Sequence, residues 1–117
     1  MYASIYIYRL PKENVDAFLQ IQKEAAEIYQ RYGALADETF APVDLKAKYG
    51  CVPIFEALDV EADEEIFIGI SRFRNRAHHD RVMSQVDSDE RIGQLYGQVT
   101  KLLDISRVVR GEFEQAV

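Results

Sequence analysis

Ser4-Ile5-Tyr6-Ile7-Tyr8-Arg9-Leu10-Pro11 decides the fold: an apolar and aromatic strand, stopped by Pro11, runs directly into an amphipathic helix that lasts to Tyr32. The same design returns at Ile66-Phe67-Ile68-Gly69-Ile70, followed by a second helix to Val86. A strand-helix unit used twice is the pattern of a split βαβ repeat. Both strands are apolar or aromatic on each face. A small sheet with helices on one side therefore still needs cover on the other, and a second copy of the chain is the simplest cover.

Working outward, the spacing predicts a strand over 3–10, with Tyr6 and Tyr8 on one face and Ile5 and Ile7 on the other. A helix over 12–32 follows, carrying Val15, Phe18, Leu19, Ala25, Ala26, Ile28, Tyr29 and Tyr32 near i, i+3, i+4 spacing, and Gly33 ends it in a left-handed cap. A second strand, 34–41, is short and partly polar with Asp37 and Glu38, which reads as an edge or as a strand with one wet face. Residues 43–63 are the least regular part, with a brief strand expected at 54–58. A third strand covers 65–73, and Asn75 caps a helix whose apolar face includes Ala77, Val82, Met83 and Val86. Asp87-Ser88-Asp89 caps a further helix over 90–103, and 107–114 forms the fourth strand, with Val109 and Phe113 on one face. The order is βαββαβ with an additional helical segment, an α+β fold with an antiparallel sheet.

Composition bounds the function. The chain has 117 residues and reads as one domain, 1–117, with a hydrophobic fraction of 48% and a charged fraction of 29%, ordinary for a globular protein. Its net charge of -6 disfavours phosphate backbones and anionic membranes, and Arg72, Arg74, Arg76 and Arg81 are interleaved with Asp80 and preceded by an acidic cluster, so their field is expected to cancel. Nucleic-acid and membrane partners are therefore not expected. No apolar run approaches the ~20 residues that cross a bilayer, and the single cysteine, Cys51, suits a reducing compartment. A cytoplasmic location follows as the expectation.

His78 and His79 are the only histidines, and histidine is the side chain most readily used for proton transfer near neutral pH. Adjacent helix positions point about 100° apart, so the pair does not converge on one metal; no metal or cofactor is expected. His78 lies four and eight residues before Val82 and Val86, on their buried stripe, whereas His79 falls at the margin. His78 is therefore the acid/base candidate; the alternative is a structural ring, hydrogen-bonded and enclosed by apolar side chains. Tyr6, Tyr8, Phe67 and Phe73 alternate onto a single sheet face, with Gly69 and Ser71 leaving room between them. That face reads either as a dimer contact or as the wall of a small aromatic-lined pocket.

Several stretches together resemble a known family: Pro11-Lys12-x-Asn14-Val15, Tyr32-Gly33-Ala34-Leu35, the run from Ser71 to Asp80, Asp89-x-Arg91, and Asp104-x-x-Arg107-x-x-x-Gly111-x-Phe113. The chain is similar along nearly its whole length to the YbaA-like bacterial proteins of unknown function, most specifically at Arg76-Ala77-His78-x-Asp80. The resemblance implies a ferredoxin-like subunit of the dimeric α/β-barrel superfamily, in which two subunits pair their sheets. That superfamily includes antibiotic-biosynthesis-type monooxygenases, haem degraders, lactone isomerases and transcriptional effector domains, so fold alone selects no activity. The chain lacks the tryptophan of the haem degraders, and it carries Ala3 and Ser4 where an acidic residue and glycine are expected. Two function classes follow. One is a small-molecule enzyme, a cofactor-free oxygenase or isomerase acting on a hydrophobic or aromatic carbonyl compound, with His78 as acid/base and Tyr6 or Tyr8 orienting the substrate. The other is a ligand-binding or stress-related module that uses the same cavity without turnover.

Overall fold

The computed structural model describes residues 1–117. Four strands, β1 (Tyr2–Pro11), β2 (Ala36–Phe40), β3 (Glu64–Phe73) and β4 (Val109–Glu114), form one antiparallel sheet in the order β2-β3-β1-β4. This is the ferredoxin-like α+β arrangement. Helix α1 (Val15–Arg31) follows β1, a short α2 (Ile54–Ala57) lies in the irregular segment, and α3 (Arg76–Val86) and α4 (Glu90–Val99) follow β3. The apolar piece at Ile54 is thus a single helical turn rather than a strand. The last helix stops at Val99 instead of Leu103 and gives way to turns, while Lys12–Asn14 forms a 3₁₀ turn before α1.

Local chemistry explains the boundaries. Gly33 sits at φ 111°; its N–H donates to Gln30 O at 3.0 Å and the Ala34 N–H to Tyr29 O at 3.0 Å. That pair of bonds is the Schellman closure, which needs a residue free of a Cβ penalty. Asn75 Oδ1 accepts from the His78 N–H at 2.8 Å and starts α3. Asp89 Oδ1 accepts from the Ile92 N–H at 3.1 Å and starts α4, while its Oδ2 accepts from the Tyr32 hydroxyl at 2.7 Å, tying the end of α1 to the start of α4.

Register assigns the sheet's two faces. Tyr2 pairs with Phe73, Ser4 with Ser71, Tyr6 with Gly69 and Tyr8 with Phe67, so these residues share the face under the helices. There Leu10, Phe18, Ile21, Ile28 and Phe67 form the main core with Leu95, Val99 and Leu103, and Tyr2, Ala34, Phe73, Val82 and Val86 form a second cluster. The aromatic face is consequently interior, and it is not a surface on which a second copy could dock. The opposite face carries Ile5, Ile7, Ile68 and Ile70, half-buried within one chain, with exposed Phe40, Val109 and Phe113 at its flanks. One end of that open face is closed by the irregular segment, because the Arg9 guanidinium donates to the carbonyls of Leu58 and Arg107. Arg107 in turn holds the buried Glu64 carboxylate in a two-pronged ion pair at 2.6 and 2.9 Å.

Candidate functional site

Between the aromatic sheet face and helices α1, α3 and α4 lies a cavity of about 390 Å³, within the range of small-ligand sites. Tyr6 and Tyr8 form its floor, Ile21, Ala25 and Tyr29 of α1 one wall, and Ile92, Leu95 and Val99 of α4 another. Exposed Tyr96, Ile105 and Arg110 mark its rim. Small residues in the strands create the space. A Cβ on Gly69 would lie 3.1 Å from Tyr8 Cε2, so any larger residue would push the Tyr8 ring back by a few tenths of an ångström from where it lies across β3. The rings of Tyr6 and Tyr8 are nearly parallel, 6.0 Å apart and 11° inclined. Tyr8 is braced by Phe18 in an edge-type contact, centroid to centroid 5.0 Å and 61° inclined.

The polar groups within this apolar box are few. Asp37 of β2 pairs in register with Ser71, and its Oδ1 accepts from the Ser71 hydroxyl at 2.5 Å. Burial pushes its carboxyl up from 3.8 to about 6, against the opposing pull of the Ser71 hydrogen bond. Desolvation likewise raises the phenols of Tyr8 and Tyr29, so both remain protonated donors at neutral pH. At the rim, Arg110 Nε donates to the Tyr6 hydroxyl at 3.2 Å and its guanidinium lies 5.3 Å from the Tyr6 ring centroid. Glu112 accepts from Arg110 at 2.5 Å and also from the Tyr2 hydroxyl, which holds its carboxyl below the usual range.

Of the residues expected to form the site, Tyr6 and Tyr8 line the cavity together. Phe67 and Phe73 share their face but are buried in the two core clusters. His78 stands apart, across α3 from the cavity. Its Nδ1 accepts from the Arg74 N–H at 3.0 Å, and burial together with the nearby Arg74 charge lowers its pKa, which favours the neutral ring. His79 is buried as well, contrary to the marginal position expected from helical phase. The two rings lie against Phe73 at centroid distances of 5.9 and 4.8 Å, so both neighbours are enclosed by the same phenyl group. His79 Nδ1 meets Asp80 Oδ1 at 2.8 Å.

Asp37, Tyr29 and Arg110 escaped the sequence reading. Asp37 looked like the wet side of an edge strand, and β2 is indeed at the edge. However, Glu38 takes the outer face, near Arg72 at 3.9 Å, which turns Asp37 inward. The signal that could have found it is phase: Asp37 and Thr39 alternate as Ser71 and Gly69 do on the neighbouring strand.

The family described as "Protein of unknown function (DUF1428)" matches residues 1–102. The chain belongs to this family. No curated protein matches it. Among solved structures it is similar over its whole length to one titled as an antibiotic biosynthesis monooxygenase, with 18% identity, TM-score 0.64 and all of that chain covered. It also resembles an uncharacterized NIPSNAP domain protein from Burkholderia xenovorans, with 12% identity, TM-score 0.60, and coverage of 100% of this chain and 96% of that one. A protein from Arabidopsis thaliana aligns with 8% identity and TM-score 0.65, covering 100% of this chain and 97% of that one. At such identities the likeness establishes a shared fold.

Proposed function

We propose that this member of DUF1428 is a small-molecule enzyme that moves a proton on a hydrophobic or aromatic carbonyl compound, of the isomerase or cofactor-free oxygenase type. The observation that carries this reading is the half-buried Asp37 carboxyl, held by Ser71 beside an apolar cavity that also presents tyrosine hydroxyls. A carboxyl poised at about 6 is a competent base near neutral pH. It would take a proton from the carbon beside a substrate carbonyl, while a tyrosine hydroxyl donates to the enolate oxygen that develops. In an isomerisation the proton returns to a different carbon; in a cofactor-free oxygenation the carbanion passes electrons to dioxygen. Both begin with the same abstraction. The neighbour titled as an antibiotic biosynthesis monooxygenase supports the oxygenase version by fold analogy alone.

The abstraction can be tested without knowing the natural substrate. Incubating the protein with small aromatic ketones such as 1-tetralone in deuterated buffer should accelerate exchange of the protons beside the carbonyl, followed by proton NMR. Ketones that raise the melting temperature yet exchange no faster than in buffer would instead support the binding module.

We further propose that two copies pair through the open sheet face. Ile5, Ile7, Ile68 and Ile70 there form a continuous apolar strip flanked by Phe40, Val109 and Phe113, and strips of this kind are normally covered. The resemblance to YbaA-like proteins implies the same pairing. Light scattering at micromolar concentration should give twice the 13.5 kDa chain mass, and Ile68→Arg should return the monomer. A wild-type protein that stays monomeric would sink the proposal.

A further inference from the structure

On the far side of α3 from the cavity is a second hollow, of about 420 Å³, lined by Tyr32, Gly33, Arg74, His78, Arg81 and Gln85 among others, with no carboxylate among its lining residues. The chain holds more acids than bases, 20 against 14, and its other arginines mostly find acidic partners. Arg72 lies near Glu38, Arg91 near Glu24, Arg107 near Glu64 and Arg110 near Glu112. Arg74 and Arg81 have none. Asp80, whose place in the sequence suggested that it would neutralise them, is turned instead to His79 Nδ1 at 2.8 Å. Arg74 and Arg81 therefore line one recess with no carboxylate beside them in its lining.

Several polar groups of the lining already have partners within the chain. The neutral His78 ring forms part of its lining, bonded through Nδ1 to the Arg74 backbone N–H. The Gly33 N–H is used within the helix cap, and the Ser84 hydroxyl donates to Arg81 O at 2.8 Å. Side-chain donors of Arg74, Arg81 and Gln85 are what remain for a ligand. We infer that this hollow binds the phosphate monoester of a small organic molecule, with Arg74 and Arg81 on the phosphoryl oxygens and the organic part against Tyr32 and Val82. The charge match favours phosphate over carboxylate: a monoester is close to a dianion at neutral pH and offers three terminal oxygens to two planar donor forks. A carboxylate is satisfied by one arginine. The volume exceeds that of a phosphoryl group, which leaves room for the organic part. This site is independent of the Asp37 cavity and of whatever reaction occurs there.

Titration of the full-length protein with phenyl phosphate, inorganic phosphate and benzoate, followed by calorimetry and by amide shifts in NMR, tests it. Phenyl phosphate should bind best and move the amide resonances of Gly33, Arg74, Arg81 and Gln85. Arg74→Gln and Arg81→Gln should each weaken it by about tenfold or more, with the thermal midpoint of each variant checked to establish folding. Arg76→Gln is the charge control, since Arg76 lies on α3 outside the hollow; it should change affinity by less than about twofold, the residue of long-range charge screened by salt. Equal losses from Arg76→Gln and Arg81→Gln would reduce the effect to bulk charge and overturn the site. Equal binding of benzoate or of inorganic phosphate would overturn the assignment to a phosphate monoester.

Discussion

Asp37→Asn should make the protein more stable at pH 8 and at the same time remove its proton-abstraction activity. The asparagine keeps an oxygen that accepts from Ser71 Oγ–H but loses the charge. Burial raises the Asp37 carboxyl from 3.8 to about 6, so between these values the native state binds more protons than the unfolded chain. Its contribution to stability is then fully present below about pH 4 and is lost as pH rises through about 6. Each unit corresponds to about 1.4 kcal/mol, and solvent entering the cavity screens part of it, so the variant should gain about 1–3 kcal/mol over wild type at pH 8 and little at pH 4. Carboxylates stabilised by partners, such as Glu64 and Asp89, slope the other way but are common to both proteins and cancel in the difference. Urea midpoints at pH 4.5 and 8 measure this. Ketone exchange in the same variant should fall by about 10²–10⁴, the usual worth of a positioned base. A gain over wild type no larger at pH 8 than at 4.5 would show that burial does not destabilise the Asp37 carboxylate, and a variant that exchanges as fast as wild type would show that Asp37 is not the base.

A residue that costs stability at working pH is one that local sequence rules misplace. The strands were legible because Ile5 to Tyr8 and Ile66 to Ile70 carry apolar side chains in both phases, and the helix caps because Gly33, Asn75 and Asp89 leave strong chemical signatures. Tyr6 and Tyr8 were legible as one face for the same reason. What the chain alone conceals is which face the helices cover. Both faces of β1 and β3 are apolar, so hydrophobicity does not choose between them, and the choice rests on contacts such as Phe18 against Tyr8 and Phe67. His78 lies apart from the cavity for a related reason. A helical stripe correctly indicates burial, but α3 buries that stripe against Phe73 and the end of α1, away from the cavity. The unpaired arginines were hidden because sequence adjacency to Asp80 says nothing of which way its carboxylate turns.

The choice of face makes Phe18 the side chain on which fold and site both depend. It is fully buried, with its ring in an edge-type contact with Tyr8, centroids 5.0 Å apart, and tilted by 42° against Phe67 at 5.6 Å. Phe18→Ala removes a phenyl group from a close-packed position and should cost about 3–5 kcal/mol. Against the roughly 5–15 kcal/mol that holds a domain of this size together, that is a large share. Phe18→Leu retains most of the volume and should cost less than about 1.5–2 kcal/mol. Urea midpoints for the two variants give the ordering directly. A second consequence separates packing from mere size. Tyr8 is gripped between Phe18 and the glycine gap at Gly69, so loss of the phenyl brace frees the Tyr8 ring to leave the cavity floor. Aromatic ketone affinity should therefore drop in Phe18→Ala even at temperatures where it is fully folded, and recover in large part in Phe18→Leu. A loss of less than about 1.5 kcal/mol in the alanine variant would mean that the site collapses without strain, and that the cavity floor is held by something other than this ring.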